Sequence, residues 1–88
     1  MVKRELRWSP PAERDLTRIR RHSPPVALRI FQSATQYAET GHGDVVKLAG
    51  QGRLYRLRVG NCRVIFTYED SDLVVLALRV LNRRDAYR

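Results

Sequence analysis

The chain predicts a small α+β domain: an N-terminal strand, an antiparallel helical hairpin, then a three-stranded antiparallel meander, with the helices on one face of the sheet. Three observations carry this expectation. Residues 54–59 alternate apolar and polar with period two, and two further short strands rich in β-branched and aliphatic residues follow them. Two Ser-Pro-Pro tripeptides each open a stretch whose apolar residues recur at helical spacing. The length, 88 residues, supports one modest core and a single domain.

Taken in order, Val2, Arg4, Leu6 and Trp8 alternate with Lys3, Glu5 and Arg7, which reads as a strand at one edge of the sheet. Ser9 and Ser23 are each followed by two prolines. Serine suits an N-cap, and proline suits the first helical turn, where its missing N–H costs nothing. The first helix carries Ala12, Leu16 and Ile19 on one face and ends near Arg21 and His22. The second carries Ala27, Ile30, Phe31, Ala34, Tyr37 and Ala38 on one stripe and stops at Gly41. So short a connection makes the two helices an antiparallel hairpin. A short extra strand is expected near residues 45–48.

In residues 54–59, Tyr55, Leu57 and Val59 share one face, and Arg56 and Arg58 share the other. Gly60-Asn61 reads as a two-residue hairpin turn, which sets Val59 opposite Cys62 and Arg58 opposite Arg63. In residues 73–81, Val74, Leu76, Leu78 and Val80 are expected to join Val64, Phe66 and Tyr68 in the core. That alignment requires an odd-numbered loop through residues 69–72, or a bulge. It also places Arg79 beside Arg63, so Arg56, Arg58, Arg63 and Arg79 form one basic patch. Arg83 and Arg84 follow, and Tyr87 lies near the end. Arginines directly opposite each other repel. Singly these are ordinary solvated residues, but a register-consistent cluster points to an anion.

Composition agrees. The formal charge is +8 and the isoelectric point near 10.8. Of 17 basic residues only Lys3 and Lys47 are not arginine. Guanidinium groups grip phosphate in a planar, bidentate way, which suits a nucleic-acid backbone or an acidic protein. The single Cys62 excludes an intrachain disulfide and suits a reducing, cytoplasmic setting. The charged, alternating start does not have a signal-peptide pattern, and the apolar run from 73 to 78 is too short to span a bilayer. His22 and His42 sit at separate helix ends, and no Cys/His/Asp spacing suggests a metal. The glycines match no nucleotide-binding fingerprint, and Glu69, Asp70 and Asp72 read as solvated turn residues. No cofactor is expected. Any catalysis falls to arginine and tyrosine.

The stretches Lys47-Leu48-Ala49-Gly50, Leu54-Tyr55-Arg56-Leu57-Arg58-Val59-Gly60 and Cys62-Arg63-Val64-Ile65-Phe66, with the ending Arg79-Val80-Leu81-Asn82-Arg83-Arg84-Asp85-Ala86-Tyr87-Arg88, resemble the RelE/ParE superfamily of bacterial type II toxins. The ending is most similar to the RelE branch, whose members cut messenger RNA in the ribosomal A site. ParE toxins inhibit DNA gyrase and generally lack the full basic-plus-tyrosine set. The resemblance implies that Arg56 and Arg58 hold the RNA; Arg79, from the strand register, and Arg84, just after the strand, are expected to add RNA-binding charge. It implies that Arg63 acts at the scissile phosphate and that Tyr87 is the base. A further basic residue after the last strand aligns with Arg83 or, one place on, Arg84. Cys62 stands where these toxins often have tyrosine, and Asn82 where they often have histidine.

The chemistry implied is attack of a 2′-OH on its neighbouring phosphate. That step needs a base, an acid for the leaving 5′ oxygen, and positive charge around the phosphorane. Tyrosine ionises near about pH 10 and is a weak base at neutral pH unless neighbouring arginines favour the phenolate. The partners implied are a cognate acidic antitoxin, held in a hetero-oligomer, together with the ribosome and its mRNA. Two other functions fit the residues: gyrase inhibition without catalysis, and a basic adaptor that only binds its acidic partner.

Overall fold

The computed structural model describes residues 3–50 and 52–82. In chain order they form β1 (Glu5–Trp8), α1 (Pro10–His22), α2 (Pro24–Thr40), β2 (Asp44–Lys47), β3 (Tyr55–Val59), β4 (Cys62–Glu69) and β5 (Val74–Asn82). The five strands make one sheet in the order β1-β5-β4-β3-β2. Strands β2 to β5 form an antiparallel meander, so the short strand near residue 45 extends the predicted meander from three strands to four. β1 lies at the opposite edge, parallel to β5. Six chain reversals separate β1 from β5, and an even number returns the chain to its starting direction.

The two serines behave differently. The Ser9 hydroxyl accepts the Ala12 N–H at 3.2 Å, capping α1, and donates to the Leu78 carbonyl at 3.0 Å. Ser23 makes no side-chain cap on α2. Its own N–H instead bonds the Ile19 carbonyl at 2.7 Å and closes α1. α2 stops at Gly41, whose φ of 79° is left-handed and whose N–H returns to the Tyr37 carbonyl.

The helices pack on one sheet face. Ala12, Ile30, Ala34, Tyr37 and Ala38 meet Leu57, Val59, Val64, Phe66, Val75, Ala77 and Val80, with Cys62 buried among them as expected. Phe31 is not part of this core: it is 48% exposed and stacks on Trp8, with centroids 6.3 Å apart.

The main departure from expectation lies in β5. Four residues, 70–73, connect the facing pair Glu69 and Val74, so the turn does not supply the register shift. A bulge does. Ile65 faces Arg79 and Phe66 faces Ala77, leaving Leu78 as the extra residue. Below the bulge the strand is flipped relative to the predicted facing. Val75 and Ala77 therefore join the core with Val80, while Leu76 and Leu78 do not.

Candidate nucleic-acid interface

The sheet face turned away from the helices carries the arginines. Because Leu57, Val59, Cys62 and Val64 point into the core, Arg56, Arg58 and Arg63 point away from it. Gly60 adopts a φ of 58°, so the β3–β4 turn is as tight as its sequence predicts. Val59 faces Cys62, and Arg58 faces Arg63. Arg58 is exposed; Arg56 and Arg63 are half-buried. Cross-strand Cβ atoms stand only about 5 Å apart, so two guanidinium groups share a small area with no intervening carboxylate in the pairing. Arg56 adds a third charge on the same strand face.

β2 brings a carboxylate to the margin. Asp44 pairs with Arg58 in the backbone register, and its carboxylate lies 3.6 Å from the Arg56 guanidinium. The Arg56 Nε is buried and has no hydrogen-bond partner among the described residues. A buried donor in that state is costly unless a ligand or water meets it. Nothing in the local sequence marked Asp44 for this place, because its position follows from strand pairing across a long loop.

Arg79 differs from expectation. It faces Ile65 and not Arg63, whose partner is Leu81, because the four-residue turn and the Leu78 bulge each move the pairing by one residue. Its guanidinium reaches around the sheet edge to Asp15 of α1, with Nε 2.7 Å from Oδ2 and one terminal nitrogen 3.2 Å from Oδ1. β1 ends opposite Ala77, so beyond that point β5 has no strand on this side. Asp15 fills the gap by accepting the Val80 N–H at 2.9 Å, and it also accepts from Arg18 at 3.1 Å. Burial drives the Asp15 carboxyl upward, but the bonds from Arg79 and Val80 and the charges of Arg79 and Arg18 outweigh it and hold the group below its ordinary range. The sequence signal for Asp15 was a carboxylate on the apolar stripe of Ala12, Leu16 and Ile19.

Three of the four predicted patch arginines are therefore brought together, and Arg79 sits at the edge, bound to Asp15. Arg83, Arg84 and Tyr87 lie outside the described residues. On the helix side, Tyr37 and Tyr68 join their hydroxyls, and Arg4 lies 5.1 Å from the Tyr68 ring centre. Burial, then the Tyr37 hydrogen bond, pushes the Tyr68 phenol upward, which makes it no base. Among the described residues no cluster of three His, Cys, Asp or Glu could hold a metal ion. No described helix is long and apolar enough to cross a membrane.

No curated protein matches the chain in sequence. Among solved structures, the fold is similar to a chain of the toxin-antitoxin complex RelBE2 from Mycobacterium tuberculosis, at 24% identity and a TM-score of 0.79 over 97% of each chain. It is similar to a chain of the archaeal RelE-RelB complex from Pyrococcus horikoshii, at 23% identity and 0.73, covering 93% of this chain and 97% of that one. The YoeB/ParE toxin from Agrobacterium tumefaciens matches at 14% identity and 0.75, covering 89% and 96%. In sequence, residues 6–87 match the family described as ParE toxin of type II toxin-antitoxin system, parDE. A match running from the first strand to the penultimate residue places the chain in that family, within the RelE/ParE superfamily of toxin-antitoxin toxins.

Proposed function

We propose that this toxin is a ribosome-dependent mRNA endonuclease that acts in the cytoplasm and blocks translation. The observation that carries the reading is the pairing of Arg58 with Arg63, beside Arg56, on the helix-free sheet face. A phosphate relieves the repulsion between those arginines and suits their planar donors. In the reaction, the 2′ oxygen attacks the adjacent phosphorus and the bond to the 5′ oxygen breaks. Tyr87 takes the 2′-OH proton, and the 5′ oxygen gains one. Arg63 and Arg83 stabilise the phosphorane charge, and Arg56 and Arg58 hold the backbone. Arg84 extends the contact, with Arg79 at the sheet edge. A cognate acidic antitoxin neutralises the toxin by covering the arginine face or displacing the segment that carries Tyr87, and the RelBE2 and RelE-RelB structures are toxin-antitoxin complexes. The half-buried Ile65, Leu76 and Leu81 beside the arginines offer such a segment apolar contacts as well.

A second reading, gyrase inhibition without catalysis, draws on the ParE description of the matched family. Primer extension on a defined message in a purified translation system, run beside a gyrase supercoiling assay, separates the two. Cuts at ribosome-held codons that vanish with Arg63→Ala are the expected result. Lost supercoiling without cuts would overturn the nuclease assignment and the residue roles with it.

A further inference from the structure

A second arginine surface lies on α1. Arg14, Arg18 and Arg21 recur at i, i+4 and i+7, so they share one helix face, and all three are exposed. With Pro10, Glu13 and Thr17 they line a shallow trough of about 500 Å³. Arg14 and Arg21 stand about 10 Å apart along the helix axis, so the stripe can meet neighbouring phosphates of one strand. The stripe also joins the sheet edge. Arg18 and Arg79 bind the same Asp15 carboxylate, which is 4% exposed while their own side chains are 53% and 50% exposed. One buried anion thus holds two half-exposed guanidinium groups side by side at the boundary between α1 and β5.

We infer that the Arg14–Arg18–Arg21 stripe is a second RNA-backbone site, continuous around the β5 edge with the arginine face of the sheet. The inference extends the RNA-binding reading above but concerns docking, not cleavage. RNA is favoured over an acidic protein by what the trough lacks. Its lining holds no large apolar side chain, whereas a protein segment folding on a surface needs apolar anchors. The exposed apolar residues Leu28 and Phe31 lie on α2 instead.

The test is fluorescence anisotropy of the full chain with a labelled RNA hairpin across a salt series. The variant is Arg14→Gln with Arg21→Gln, which spares the Asp15 partners. Its control is Arg20→Gln with Lys3→Gln, which removes equal charge; Arg20 projects about 120° away from the stripe, and Lys3 sits beside Glu39. The expected result is an affinity loss of about tenfold in the stripe variant, with the slope of log affinity against log salt shallower by about 1.5. The control should stay within about twofold, and thermal unfolding should be unchanged in both. Equal losses in the two variants would reduce the stripe to net charge and overturn the proposal. So would unchanged RNA binding together with weakened binding to the purified antitoxin, which would make the stripe a protein contact. The readout does not depend on cleavage: if the wild type cuts no message but the stripe effect persists, the nuclease reading falls and this site stands.

Discussion

Asp15 has given up nearly all its water, at 3% exposure, and burying a carboxylate costs several kcal/mol before any partner is counted. The offset comes from three donors: Val80 N–H, Arg79 and Arg18. Both arginines are half-exposed, so their ion pairs are screened by solvent, and the buried Val80 bond carries most of the net effect. Asp15→Ala should lower stability by about 2–3 kcal/mol, and Asp15→Asn, which keeps an acceptor, by about 1 kcal/mol. Because the folded-state pKa is depressed, the charge contributes stability above the unfolded value of about 3.9 and loses it as pH falls through the folded value. Denaturant melts across pH should therefore show a constant gap between wild type and Asp15→Asn above about pH 5 that shrinks below about pH 4. A gap that widens in acid would contradict the assignment.

At the level of elements, the two Ser-Pro-Pro starts look equivalent in sequence and are not equivalent in the fold. Ser9 caps α1 and ties it to β5, whereas the Ser23 side chain makes no cap bond because its backbone is taken up closing α1. Ser9→Ala should cost about 1 kcal/mol and Ser23→Ala less than about 0.5 kcal/mol, read from paired thermal melts. The β3–β4 hairpin gives an opposite sign. Arg63→Thr removes the like-charge cross-strand pair without touching Asp44, which pairs with Arg58, and adds a β-branched residue, so the free protein should gain a few tenths of a kcal/mol. The same variant should bind RNA less tightly. A hairpin that loses stability on this substitution would mean that Arg58 and Arg63 do not strain the sheet.

Across the whole molecule, the net charge is +8, and two of the arginine clusters, the sheet face and the α1 stripe, approach each other at Asp15. Such a chain should bind RNA through backbone phosphates, and affinity should fall steeply with salt, with a slope of about −2 to −4 for three to five contacts. Anisotropy titrations over a range of salt check this, and a flat response would exclude backbone binding. A bound acidic antitoxin that covers the sheet face should weaken RNA binding at low salt to what the α1 stripe alone supports.

Local chemistry in the sequence was enough for the helices, for the alternation of β3 and β4, for the Gly60-Asn61 turn, and hence for Arg58 opposite Arg63. Each depends on residues within a few positions of one another, where backbone sterics and side-chain periodicity decide the outcome. Arg79's place, the facing of β5, and the approach of Asp15 and Asp44 were decided only by the tertiary structure. The Leu78 bulge lets a strand of nearly continuous apolar residues present Val75, Ala77 and Val80 to the helices. In a segment where both faces are apolar, period two carries no information about facing, so packing against α1 and α2 selects it.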